Sequence, residues 1–173
     1  MGKQYQAPQG EAVPRHTDTD DHFGLLNLQV LHRCTPAEAA DWRERWRVVY
    51  ARDGRGAGLH RYLWHTFSAG RFPALAGAAA EAAYAAHVAP EYVVLPNRNA
   101  GALVSMTRPV RDRYNDVLVF PRNLAWTMAF THEDGYLGPY FAQHPDYERL
   151  QADNLQALNK RCQIEAAKRR GWV

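Results

Sequence analysis

Two short apolar runs, DVLVF (116–120) and LAWTMAFT (124–131), are separated only by Pro121-Arg122-Asn123. A link this short leaves no room for a crossover, so the runs pair as antiparallel strands. A second pair is expected in EYVVLPNRNAGALVSM (91–106), turning around Asn97–Gly101. Helical segments interrupt the strands. TPAEAADWRERWRVVYARDG carries Thr35 as N-cap, Pro36 at the first helical position and Glu38 closing a capping box. Ala39, Trp42, Trp46 and Val49 recur every three or four residues and predict a buried stripe, with Arg43, Glu44, Arg45 and Arg47 on a solvated face.

FPALAGAAAEAAYAAHVAP is Ala-rich and predicts a helix opening near Pro73 and stopping before Pro90. A long final helix is expected from about Pro145 to Arg170. Lys168, Arg169 and Arg170 suit the negative end of its dipole, and Gly171 gives a stop. FGLLNLQVLHRC (23–34) reads as a first strand, with Leu26, Leu28 and Val30 on one side. LHRYLWHTFS (59–68), aromatic and partly β-branched, reads as a second. The order is β-α-β-α-ββ-ββ-α. It defines an α+β domain over residues 23–173, a mostly antiparallel sheet covered by helices. Residues 1–22 hold almost no large apolar side chains and read as a loose, disordered tail.

Composition narrows the class. With 46% hydrophobic and 23% charged residues, the chain can bury a single core. A net charge of +3 is a weak attraction for anions, and charges of alternating sign in the last helix argue against nucleic-acid binding. Cys34 and Cys162 form no C-x-x-C pair, which argues against a zinc ribbon or a disulfide framework. No apolar run reaches the roughly 18–20 residues needed to span a bilayer, and the N-terminus has no apolar signal core. A cytoplasmic location and no membrane association are expected.

The densest chemistry lies where the 124–131 run opens into THEDGYLGPYF (131–141). Strand alternation would place Trp126, Met128, Phe130 and His132 on one face, and Thr127, Ala129, Thr131 and Glu133 on the other. Adjacent residues on a regular strand do not converge, and H-E-x-x-H is not completed because Tyr136 stands at its last position. The structural reading makes His132 a donor to a backbone carbonyl and Glu133 an acceptor for the Asp134-Gly135 turn. The functional readings make the segment either a pocket with His132 as ligand or general base, or a partner-binding surface. His65, sharing a strand face with Leu63 and Phe67, reads as a core histidine, and His60 would point the opposite way. Were the two strands neighbours, His65, His132 and Glu133 could meet as catalytic candidates or as a zinc or iron set. No cofactor and no metal are expected, because nothing in the spacing requires them. A Gly-rich phosphate loop and a G-x-S-x-G nucleophile elbow are both missing from the sequence.

YLWHTFS (62–68) and NDVLVFPRNLAWTMAFTHEDGYLGPYF (115–141) together resemble a family of small bacterial proteins of unknown function. Its members show a W-H-x-F-S element and a later D-x-x-x-x…W-T-x-x-x-T-H-E…G-P-Y-F element. The matching positions are Trp64, His65, Phe67, Ser68, Trp126, Thr127, Thr131, His132, Glu133, Gly138, Pro139, Tyr140 and Phe141. The Ala-rich helix at 74–86 departs from the more charged one expected there. The resemblance implies a compact domain in which the two elements share one site. The leading expectation is a protein-binding module, in its specific form an immunity-type protein that neutralises a co-encoded toxin. Its binding residues would be Trp64, Trp126, Thr131, His132, Glu133, Tyr140 and Phe141. The alternative is an enzyme, or a small-ligand or metal binder, using His65, His132 and Glu133 at the sheet rim.

Overall fold

A computed structural model describes residues 23–52, 62–97, 101–112, 115–133 and 135–171. The loop glycines at 54, 56 and 58, His60, Asp134 and the expected tail at 1–22 lie outside the described residues.

Helix α1 (Pro36–Tyr50) forms where its capping signals require it. The Glu38 amide donates to the Thr35 hydroxyl at 3.3 Å, and the Thr35 amide donates to the Glu38 carboxylate at 2.8 Å. Its buried stripe is Ala39, Trp42, Trp46 and Tyr50, with Val49 half-buried beside it. Arg43 departs from the expected solvated face. Its guanidinium reaches the Asn97 and Pro96 carbonyls at 3.2 and 2.9 Å, tying α1 to the end of a strand.

The chain then builds nine short strands and three more helices among the described residues. In order these are β1 (Leu25–Leu26), β2 (Val30–Arg33), α1, α2 (His65–Ser68), β3 (Leu75–Ala76), α3 (Ala78–Ala86), β4 (Tyr92–Pro96), β5 (Leu103–Ser105), β6 (Val110–Arg111), β7 (Val117–Pro121), β8 (Trp126–Phe130), β9 (Tyr140–Gln143) and α4 (Tyr147–Arg169). Seven strands form one sheet in the order β2-β5-β4-β7-β8-β9-β3, with every neighbouring pair antiparallel. A small ribbon pairs β1 with β6. The class is α+β, with a mostly antiparallel sheet and a long C-terminal helix, as expected.

Several elements differ from the sequence reading. The expected first strand is split into β1 and β2 by Asn27, at φ 61°, which leaves Leu26 exposed while Leu28 and Val30 are half-buried. The Ala-rich helix starts at Ala78, because Leu75–Ala76 is taken up as an edge strand against Phe141 and Tyr140. The expected second strand is replaced, over its described part, by a turn and the short helix α2. That helical turn buries Leu63, Trp64 and Phe67 together, a spacing of three and four that a strand could not bring to one side.

The central strands β4, β7 and β8 are buried along their whole length. Alternation explains why. Val93, Leu95, Leu118, Phe120 and Ala129 face one cluster with Trp42, Trp46 and Tyr50 of α1 and Phe67 of α2. Tyr92, Val94, Val117, Val119, Trp126, Met128 and Phe130 face a second cluster with Ala80 and Tyr84 of α3. Both faces of the sheet are therefore covered. On the α1 side the polar atoms of the helix aromatics are satisfied by the sheet. The Trp46 indole donates to the Thr127 hydroxyl at 3.0 Å, and the Tyr50 hydroxyl donates to the Leu124 carbonyl at 2.7 Å. Among the described residues no helix is long and apolar enough to cross a membrane.

Candidate functional site

Strand β8 ends at Phe130, and the register Val117↔Phe130 carries the chain just before β7 up beside the residues just after β8. Asp116 and His132 therefore meet at the rim. The His132 Nδ1 lies 2.8 and 2.9 Å from the two Asp116 oxygens, and the His132 amide donates to Oδ1 at 3.2 Å. A carboxylate can only accept, so Nδ1 carries the proton in this pair. The Trp64 indole donates to the same oxygen at 2.8 Å, and the Asp116 carbonyl accepts the Asn97 amide at 2.9 Å. The Asn97 side chain in turn accepts the Leu63 amide at 2.8 Å. Asp116 is thus the acceptor that joins α2, β4, β7 and the end of β8.

His132 Nε2 points to Glu133, 3.5 Å from Oε1, and the two side chains keep 37% and 40% of their exposure. Tyr62 stacks near both histidines, its ring centroid 5.3 Å from His65 and 5.1 Å from His132. The Trp64 ring centroid is 4.4 Å from His65 and 6.2 Å from His132, and Tyr140 stacks on it at 6.3 Å. Burial, and then the Glu133 carboxylate, push the Tyr140 phenol above its ordinary range.

The loop above this network is clamped at its base. The Thr131 hydroxyl donates to the Leu137 carbonyl at 2.6 Å, and the Glu133 carbonyl accepts the Tyr136 and Leu137 amides at 3.0 and 2.7 Å. Gly138 has φ +100°, and a Cβ there would stand 3.0 Å from Thr131 and 3.2 Å from Tyr140, so only glycine fits. At the tip Tyr136 is 89% exposed. Beneath it an open cavity of about 550 Å³ is lined by Gly77, Glu81, Tyr136, Pro139 and Tyr140.

The sequence reading of this segment needs several corrections. His132 does not share a face with Trp126, Met128 and Phe130, because the strand ends first and the ring turns to the Trp64 side. The latch acceptor is the Asp116 carboxylate rather than a backbone carbonyl. The Glu133 carbonyl accepts the Tyr136 and Leu137 amides, while Asp134, in the turn expected to pair with the Glu133 side chain, lies outside the described residues. His65 is half-exposed on a helical turn rather than a core strand residue. The two motif elements do meet: Tyr62, Trp64, His65, Thr131, His132, Glu133 and Tyr140 surround one rim. Trp126 and Phe141 are absent from it, buried at 0% and 2% exposure on the opposite face of the sheet. Nor do His65, His132 and Glu133 gather as a metal cage. Among the described residues, the triad whose ligand atoms all lie within 4.8 Å of one another is elsewhere, at His32, Cys34 and Glu38.

Asp116 opens the second motif element but was not counted among the candidate site residues. The usable signal was the hairpin itself: counting back from the Pro121–Asn123 turn puts Asp116 beside the residues following Phe130.

Fold and site together define a small α+β domain whose antiparallel sheet, covered on both faces, carries a histidine–carboxylate cluster at one rim. The chain belongs to the family described as a domain of unknown function, DUF4275, whose model matches residues 37–141. The match starts in α1, ends in β9 and includes every residue of the rim network. No curated protein and no solved structure matches the chain.

Proposed function

We propose that the protein is a protein-binding module whose contact surface is the rim around Thr131–Phe141, and that its partner is a co-encoded protein, in the manner of an immunity protein neutralising a toxin. The observation that carries this reading is Tyr136, almost fully exposed on a loop whose base is clamped by Thr131 and Gly138. Tyrosine supplies a large amphipathic contact area at low entropic cost, and a braced loop loses little freedom on binding. Half-exposed His132 and Glu133 border it, giving a polar rim of mixed hydrogen-bonding capacity. The test is co-expression with the product of the adjacent gene. Intact protein should co-purify with that product and suppress its toxicity, and Tyr136→Ala should lose both effects while remaining folded. Failure of the intact protein to bind the adjacent product would sink the reading.

A second reading, an enzyme or small-ligand binder using His132, Glu133 and His65, is favoured by one feature. Asp116 fixes the imidazole with Nε2 directed outward toward Glu133, the orientation a general base requires. It predicts that His132→Asn abolishes the biological effect with complex formation intact. The binding reading predicts that effect and complex weaken together.

A further inference from the structure

Strand β2 is the outer strand of the large sheet, three places from β7 in the order β2-β5-β4-β7. His32 and Cys34 are two residues apart at its end and share a side, and Glu38 enters from the first turn of α1. The Cys34 amide donates to the Ala102 carbonyl at 2.9 Å, which fixes the backbone there. His32 Nε2 is 3.1 Å from each Glu38 oxygen, and the His32, Cys34 and Glu38 ligand atoms all lie within 4.8 Å of one another. We propose that His32, Cys34 and Glu38 form a zinc-binding site.

The donor set selects the ion. Imidazole nitrogen, thiolate sulfur and carboxylate oxygen together suit Zn²⁺, whereas Mg²⁺ and Ca²⁺ prefer oxygen throughout. Zinc bonds of about 2.0 Å to nitrogen or oxygen and about 2.3 Å to sulfur, at tetrahedral angles, separate ligand atoms by roughly 3.3–3.6 Å. The present atoms, all within 4.8 Å of one another, stand close to that spacing. Thiolate and carboxylate also neutralise the dication, so the site adds no net positive charge beside the positive end of the α1 dipole. Glu38 is oriented in advance. Oε2 accepts the Thr35 amide and hydroxyl at 2.8 and 3.0 Å, so the capping box holds the carboxylate while Oε1 remains for the metal. Three protein ligands leave a fourth position to water. On binding, the metal replaces the His32–Glu38 hydrogen bond, the Cys34 thiol proton passes to solvent, and His32 ligates through Nε2 as the neutral ring with its proton on Nδ1.

The test uses the untagged full chain, stripped with a chelator and titrated with Zn²⁺ against a chromophoric competitor, and separately with Co²⁺ by absorption. One equivalent should bind, and the cobalt form should show a thiolate charge-transfer band that Cys34→Ser removes. Loss of an outer partner alone costs about 10–100-fold in affinity, so His32→Ala and Glu38→Gln should each weaken Zn²⁺ by more than about tenfold. Glu38→Gln preserves the capping-box hydrogen bond, and an unchanged circular dichroism spectrum then separates a lost ligand from a lost helix end. Cys162→Ser, at the exposed thiol of α4, should change nothing. No stoichiometric uptake, uptake by Cys34→Ser equal to wild type, or a cobalt complex without the thiolate band would each overturn the proposal.

Discussion

Asp116 and His132, sixteen residues apart in sequence, are joined twice: carboxylate to imidazole Nδ1 at 2.8 Å, and carboxylate to the His132 amide at 3.2 Å. The Trp64 indole completes the set on the same oxygen. Asp116→Ala leaves three donors without their acceptor, one of them the indole of the buried Trp64. It should cost about 1–3 kcal/mol in denaturant unfolding, with Asp116→Asn costing less because its amide oxygen still accepts. An unchanged midpoint for Asp116→Ala would mean that the network is ornament on a rim held by other contacts.

Trp126 is fully buried between Tyr84, Tyr92 and Phe141, and its indole nitrogen has no hydrogen-bond partner among the described residues. Trp126→Ala should cost about 3–5 kcal/mol through lost burial and the cavity left behind. Trp126→Phe should cost clearly less, since the donor it removes is unpaired. Equal losses for the two variants would show that the indole nitrogen has a partner after all.

The loop clamp is tested at Gly138. Gly138→Ala forces a side chain into a left-handed backbone position against Thr131 and Tyr140, and should destabilise by about 1–3 kcal/mol. Amide exchange in 133–137 should accelerate with it. Wild-type exchange rates in this variant would show that the loop is braced from another direction.

Two buried phenols set an alkaline limit. Burial raises Tyr50, and burial followed by Tyr92 raises Tyr84, while each donates to a carbonyl, of Leu124 and Pro109 respectively. Their folded values lie above the unfolded value of about 10, so the stability they contribute is complete below about pH 10 and is lost as pH rises from there toward the folded values. Unfolding midpoints should fall above that pH, and Tyr84→Phe should shallow the fall. A midpoint flat to strongly alkaline pH would contradict the burial of both rings.

How much of this was legible in the sequence depended on range. Helix α1 could be read because Thr35, Pro36 and Glu38 act on neighbours three residues away. The β7–β8 hairpin could be read because its link was too short for any other connection. The segment around Trp64 could not: a short aromatic run fits a strand or a helical turn, and only packing against Trp46 and Tyr140 decides between them. Strand β9 was hidden for a similar reason. Gly138-Pro139 announced a loop, but Tyr140 and Phe141 pair with Ala129 and Met128 once β8 supplies an edge. Asp116 was invisible as a site residue because its partners lie 16 and 52 residues away and meet it only through the sheet register.

The central claim is that the Tyr136 rim is a contact surface for a co-encoded protein. Titration calorimetry of the purified chain against the adjacent gene's product measures it directly, in parallel with Tyr136→Ala and an exposed-surface control, Ile164→Ala on α4. Tight binding that Tyr136→Ala weakens by at least 2 kcal/mol, roughly the threshold of an interface hot spot, with Ile164→Ala unchanged, is the predicted result. Binding of equal strength in wild type and Tyr136→Ala, or no binding by the wild type, would contradict it.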